Sequence, residues 1–482
     1  MPGLMRLGAA LAATAVLLAP AIWNRFPLLQ YDTGGYLARW YEGYLVPSRS
    51  TVYGLFLTLL SWLDFWPVVV AQSLVTVWVL ALTLRALGFG GRPYLLVGVT
   101  AALCAFTTLP WLTSILLTDI FAALPVLAVY LLVFSDGTLR RFERPALIAL
   151  IAFSVATHSA TFAVLLALVL AAVVVRLALR IGVNSRPRDG VASLAYSRPK
   201  DGVASLAYGG IVRGGAALVL GAFLLLSANY VTSGRFVWTP GGIALSFGRM
   251  LQDGIVARYL HEHCPDRRLR LCAHRHELPD DADVFFWSGD GSVFNRLGRF
   301  AGLGDEMGLI VGASLRAYPA WQLQAAAVAT LRQLVRVSTG EGVVPTAWHT
   351  VGMIEKFTPH AAPAMRASRQ QQGELDFTAI NAIQRPLALA AMLLLVPLML
   401  WGMRRQPMHD LGRLAATIAC ALLANAVVCG VFANPHDRYG ARLAWLAPLV
   451  VGLAAFRLYE QRRHETAAPA MRPQAVPDGT VP

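Results

Sequence analysis

The chain alternates long apolar runs with short polar connections. The first run, RLGAALAATAVLLAPAIWN at 6–24, leaves through an aromatic edge typical of an interface anchor. Further runs fall at about 66–86, 94–110, 114–134, 145–157, 161–180, 211–230, 386–403, 413–432 and 441–457. Runs of roughly 18 or more apolar residues read as bilayer-spanning helices, so the pattern predicts about ten of them. A cleaved leader peptide is the rival reading of the first run, because LAPA resembles a cleavage site. Both readings put the loop after residue 24 on the same side. The segment 51–63, TVYGLFLTLLSWL, is too short to cross and reads as interfacial or re-entrant.

The polar connections test this layout. RALGFGGRP, SDGTLRRFERP, RLALRIGVNSRPRD, GMRRQPMHDLGR and the tail RLYEQRRHE are rich in arginine. All fall on one side if the N-terminus is there too. The positive-inside rule assigns that side to the cytoplasm, with both termini. The opposite side receives 25–65, the turns near 111 and 158, a long loop at 231–385, and NPHDRYGAR. The expected fold class is therefore an all-α polytopic membrane protein with a large, α-rich periplasmic loop. It divides into an N-terminal membrane module (1–230), the loop domain (231–385), C-terminal transmembrane helices (386–460) and a disordered cytoplasmic tail (461–482).

Composition supports this class. The 482 residues are 56% hydrophobic and only 14% charged, against about 25% charged in soluble domains. The net charge of +14 sits in short segments between apolar runs. It forms no basic stripe with interleaved aromatics, so no nucleic-acid partner is expected. Only Lys200 and Lys356 among the basic residues are lysine. With the abundant alanine, that bias reads as a GC-rich bacterial genome and hence an inner-membrane protein. SRPRDGVASLAY at 185–196 repeats at once as SRPKDGVASLAY at 197–208. Two copies are too few for a solenoid and read as a tolerated cytoplasmic duplication.

The long loop holds nearly equal numbers of acidic and basic residues, as a folded periplasmic module would. Its Cys264 and Cys272 suit a disulfide in that oxidising compartment, with two free thiols as the alternative. Cys104, Cys420 and Cys429 lie in apolar runs. Residues 314–337 read as one helix, with Leu323, Ala327, Leu331 and Leu334 as its packing stripe against the membrane domain, or as a lid.

Ionisable residues at span edges are expensive and mark functional candidates. Asp32 sits in LLQYDTGGYLARWYEGYL among Tyr31, Tyr36, Trp40 and Tyr41. Asp119 opens an otherwise apolar stretch, LTDIFAALPVLAVYLLV. Each also suits a helix N-cap. On one face, two carboxylates can hold a divalent cation, or divide the work of base and orienting group. His158 occupies the turn between two spans, where a structural role is the alternative. NPHDRYGARLAWLAPL adds His436, Arg438 and Arg442. Arginines four apart share a helical face and suit phosphate through bidentate bonds, with a pair to Asp437 or snorkelling as the alternatives. His261, His263, His274 and His276 in HEHC…CAHRH have no recognised zinc spacing and read as polar loop histidines. Neither a nucleotide loop, an HExxH motif nor a nucleophile elbow occurs.

The order YDTGGYL, LTDIFAALPVLAVYLLV, ATHSATFAVLLALVLA resembles the polytopic GT-C glycosyltransferases, which include protein O-mannosyltransferases and bacterial aminoarabinose transferases. The likeness covers about the first 180 residues, with a loose match of the basic motif near the end. Many relatives carry adjacent acids in the first loop, whereas Asp32 is followed by Thr33, so metal dependence is not implied. The resemblance implies a polyprenyl-phosphate sugar donor, a lipid, glycan or protein acceptor, and inversion at the anomeric carbon. Asp32 would be the base, and Asp119 would position the acceptor or a cation. Arg438 and Arg442, with His436, would stabilise the leaving phosphate; Tyr36 and His158 would be accessory. A transporter or flippase of envelope lipid or polysaccharide, and a non-catalytic envelope assembly protein, are the competing readings.

Overall fold

A computed structural model describes residues 2–42, 49–184, 208–239, 242–289 and 291–467. The repeat at 185–208, except Tyr208, and the tail beyond 467 lie outside the described residues. The architecture is helical throughout. Among the described residues the one β-type contact is a bridge between Leu28 and Ile115.

The N-terminal part comprises α1 (Pro2–Leu17), α2 (Ala19–Asn24), α3 (Thr33–Glu42), α4 (Thr51–Leu59), α5 (Trp66–Ala86), α6 (Pro93–Phe106), α7 (Leu109–Ser114), α8 (Ile120–Phe134), α9 (Glu143–Thr157), α10 (Ser159–Asn184) and α11 (Tyr208–Ser233). A helical module follows, with α12 (Gly242–Gln252), α13 (Ile255–His263), α14 (Ala282–Trp287), α15 (Val293–Arg296), α16 (Arg299–Ala317), α17 (Pro319–Val335), α18 (Trp348–Phe357) and α19 (Ala362–Arg366). The chain closes with α20 (Thr378–Arg404), α21 (His409–Phe432), α22 (Asp437–Ala444) and α23 (Leu446–Ala467).

Among the described residues six segments are long and apolar enough to cross a membrane: Trp66–Ala86, Ser159–Ala178, Tyr208–Ser233, Thr378–Arg404, Gln406–Phe432 and Asp437–His464. Gly3–Leu17, Pro93–Phe106 and Ile120–Phe134 are apolar but shorter. The first expected run divides between α1 and α2. The expected 114–134 run is broken too: α7 ends at Ser114, Ile115 is a bridge residue, 116–119 bends and turns, and a helix begins only after Asp119. The break exchanges backbone bonds with the 28 position, Leu28 N to Ser114 O and Leu116 N to Leu28 O, both 2.9 Å. That exchange fixes the two acidic loops side by side.

Helix α8 is buried along nearly its whole length. A helix apolar all round belongs in a core, and here α5, α9, α11 and α21 pack around it. The arginine-rich connections do gather at one end. There Arg85 pairs with Glu143, Arg213 and Arg144 with Asp136, and Arg457 with Asp410.

The module has its own apolar core, which includes Phe247, Leu260, Phe285, Phe294, Met307 and Ile310. Cys264 and Cys272 are joined in a disulfide. The single helix expected at 314–337 is two helices meeting at Tyr318. The expected stripe also points away from the packing face: Leu323 and Leu331 are 73% and 65% exposed. Helix α17 instead lies on α21, where Ala329 backs onto Gly430, and buries Gln322, Ala325, Ala329 and Gln333. Small side chains let helix backbones approach closely, which suits packing beside an apolar span.

Candidate functional site

The site is built where the two acidic loops meet the start of α22. Asp32 immediately precedes α3, and its N–H donates to Gln30 Oε1 at 2.7 Å. Behind it Gly34 approaches the backbone of Thr350 in α18 so closely that a Cβ would lie 2.6 Å from its Cα. Only glycine permits that contact, and it seats α3 against the module. The Asp32 carboxylate accepts from Arg49 and from Arg438 Nη1, the latter at 2.6 Å.

Asp119 occupies the N-cap position of α8 but makes no side-chain capping bond. Its carboxylate, 2% exposed, accepts from Arg438 Nε at 2.8 Å. One guanidinium therefore bridges both predicted acids. An ionised carboxylate so deeply buried is tolerable only with such a charged, hydrogen-bonded partner.

The other candidates surround this bridge at different depths. Tyr36 is buried, with its hydroxyl 3.3 Å from Thr118 Oγ1 and the Arg49 guanidinium 6.0 Å from its ring centre. His158 lies in the turn before α10, with its Nδ1 shielded and unbonded. Burial first, then the charges of Arg442, Arg438 and Arg49, push His158 well below the usual histidine range, so it is neutral near pH 7. Arg442 is fully buried and donates to Asn425 Oδ1 at 2.7 Å and to Cys429 Sγ at 3.1 Å. Among the described residues no carboxylate lies within ion-pair reach of it, and its Nη1 has no hydrogen-bond partner. It is a buried positive charge one turn after Arg438 in α22.

His436 faces the module. Its Nδ1 meets Glu341 Oε1 at 2.9 Å and its Nε2 lies 3.4 Å from Asp283 in α14. Burial opposes its charge, but Glu341 and then Asp283 outweigh burial and raise its pKa. For Asp32, burial pushes the carboxyl up, while Arg49 and Arg438 prevail and hold it below the ordinary carboxylate range.

The chain from 333 to 341 wraps the start of α22. Gln333 exchanges bonds with the His436 backbone at 2.8 and 3.0 Å, and Ser338 N donates to Asp437 Oδ1 at 2.8 Å. A cavity of about 40 Å³ lies beneath this strap, bounded by Asp119, Arg438 and Glu341. A second, apolar groove of about 440 Å³ runs between α6, α20 and α23, from Thr107 to Leu95 and Phe456. Thr107 adjoins Thr108, a wall residue of the smaller cavity, so one end of the groove is next in sequence to that cavity's wall.

No family model, curated protein or solved structure matches this chain.

Among the described residues, no three His, Cys, Asp or Glu side chains are grouped to hold a metal ion. In the histidine-rich stretch, His263 bonds Tyr259 O at 2.9 Å and His274 pairs with Glu277 at 2.8 Å. Both acids of the bridge direct an oxygen to a guanidinium. The arrangement can bind an anion by exchanging a carboxylate for a phosphate on the arginines, and can release that carboxylate as a base. Sequence reasoning missed Arg49 and Glu341. Arg49 sits 17 residues beyond Asp32 in a connection without periodicity. Glu341 lies between two glycines in a loop that reads as an ordinary turn.

Proposed function

We propose that this protein transfers a sugar from a polyprenyl-phosphate donor to a hydroxyl of a cell-envelope acceptor at the membrane surface. The observation that carries the reading is the double bridge of Arg438 to Asp32 and Asp119. The apolar groove, whose Thr107 adjoins Thr108 of the cavity wall, supports a donor with a hydrocarbon tail. Arg49 and Arg442 support an anionic headgroup, since preorganised cations stabilise charge that develops on a leaving phosphate.

In this mechanism the donor phosphate takes Arg49 and Nη1 of Arg438 from Asp32. Asp119 keeps the guanidinium aimed through Nε. Asp32, relieved of the charges that depress its pKa, becomes a stronger base. It accepts the acceptor's hydroxyl proton as the oxygen attacks the anomeric carbon. The bond from that carbon to the phosphate oxygen breaks, and polyprenyl phosphate leaves as the anion, with inversion. General-base assistance of this kind is worth about 10²–10⁴-fold.

The test is release of polyprenyl phosphate from a synthetic polyprenyl-phosphate sugar by purified protein with envelope acceptors. Asp32→Asn should abolish release while the protein still accumulates. Normal turnover in that variant removes the proposed base. Movement of the intact donor across proteoliposomes, without cleavage, would replace this reading with transport.

A further inference from the structure

The reaction groups come from the acidic loops and α22, yet the most elaborate contacts at α22 come from the strap at 333–341. Arg438 is the second residue of this helix, so its N–H has no partner within the helix. His436, at the N-cap, provides no capping bond. Glu341 supplies it across 97 residues of sequence: its Oε2 accepts from Arg438 N at 2.7 Å. Its Oε1 meanwhile holds His436 Nδ1. A carboxylate at a helix N-terminus also interacts favourably with the helix dipole. Three carboxylates thus surround one residue: Glu341 at the backbone, Asp119 and Asp32 at the guanidinium.

We infer that Glu341 is a positioning residue for sugar transfer, fixing Arg438 through its backbone so that the guanidinium stays in place when donor phosphate displaces Asp32. The inference rests on the lipid-phosphate reading of the site. Its logic is geometric. Once Asp32 yields, Asp119 is the one carboxylate left on the guanidinium, and a long side chain on a frayed helix end swings widely. The Glu341 bond removes that freedom at its root. Small misplacements of such groups are costly to rate. The strap itself is anchored independently, by Ser338 to Asp437 and by Arg336 Nη1 to Pro435 O at 2.7 Å. Glu341 is therefore not needed to keep the strap in place.

His436 gives the inference a signature beyond stability. The charged groups facing it are Glu341, Asp283 and, with opposite sign, Arg336. The Tyr439 ring stands edge-on 5.4 Å away. Protonated His436 secures Glu341 in its bridging position. That hold weakens as pH rises through the histidine's raised pKa, so the rate should fall on the alkaline side.

The experiment measures polyprenyl phosphate release as kcat, donor KM and pH profile for the full chain, with binding of geranylgeranyl phosphate as a direct probe. Glu341→Ala should lower kcat on the order of tenfold to a hundredfold. Glu341→Gln keeps an acceptor for Arg438 N and should retain more of the rate. Its alkaline limb should move to lower pH, because His436 loses the anion that raises its pKa. Asp437→Ala, which removes the acceptor for Ser338 N and so loosens the strap at another bond, should move no limb. If Glu341→Gln leaves the limb in place, or if Asp437→Ala reproduces every effect of Glu341→Ala, Glu341 is only a strap anchor and the inference fails. If the unaltered protein neither binds the probe nor releases it from donor, the lipid-phosphate reading falls and takes this inference with it.

Discussion

Arg438 and Asp119 are 319 residues apart in sequence, and their side chains meet at 2.8 Å. The contact joins the last membrane segment to the innermost helix of the bundle. It makes Arg438 both a structural counter-ion and the group best placed to receive an anion.

Removing Arg438 should separate these roles. Arg438→Ala leaves Asp119 buried without its cation, a loss of about 3–5 kcal/mol for a broken buried pair. A thermal melt in detergent should show a lowered Tm. Arg438→Lys keeps one charge but cannot fork to two carboxylates. It should melt closer to the unaltered protein and still fail to release polyprenyl phosphate. A fully active Arg438→Lys would show that bridging is irrelevant to the chemistry.

Arg442 should behave differently. It is fully buried with only neutral hydrogen-bond partners. Removing Arg442 strands no buried carboxylate, only the Asn425 Oδ1 acceptor, at about 1–3 kcal/mol. Arg442→Met should therefore lower Tm less than Arg438→Ala, while release of polyprenyl phosphate drops about a hundredfold. A destabilised but fully active variant would make Arg442 a structural residue alone.

Gly440 provides a test of the strap that touches no charge. A Cβ there would lie 1.9 Å from the Arg336 carbonyl oxygen. Gly440→Ala must push the strap away, at a cost of about 1–3 kcal/mol for overpacking. Protease sensitivity within 333–344 should rise. An unchanged digestion pattern would mean that strap and α22 are not in this contact.

Stability should depend on pH at two limbs with different owners. The folded pKa of Asp32 is depressed, so its ion pairs stabilise above the ordinary carboxylate value and are lost as pH falls through the depressed one. The folded pKa of His436 is raised, so its pairs stabilise below the ordinary histidine value and are lost as pH rises through the raised one. Melting curves against pH should show Asp32→Asn flattening the acid limb and His436→Asn the alkaline limb. The reverse assignment would contradict the geometry.

Much of the site was visible in the chain because charge at a span edge is rare. Asp32, Asp119 and Arg438 stood out for that reason alone. Capping explained the acids equally well until the folded chain gave their carboxylates to arginines. Glu341 and Arg49 had no such contrast, since acidic and basic residues are common in polar loops. Periodicity misled at α17, where the apolar stripe is the exposed face and alanines make the contact. It misled again at 114–134, where run length hid a break between two helices. The break pairs with residue 28, a tertiary bond that no local pattern encodes.

The span of 406 residues between Asp32 and Arg438 has a consequence for biogenesis. At roughly 5–20 residues per second, the ribosome delivers the guanidinium tens of seconds after both acids have entered the bilayer edge. During that interval Asp32 can pair with Arg49, made 17 residues after it, whereas Asp119 awaits its counter-ion from α22. Arrival of α22 neutralises that buried carboxylate, so a product that stops short of Arg438 would hold Asp119 without the cation it needs.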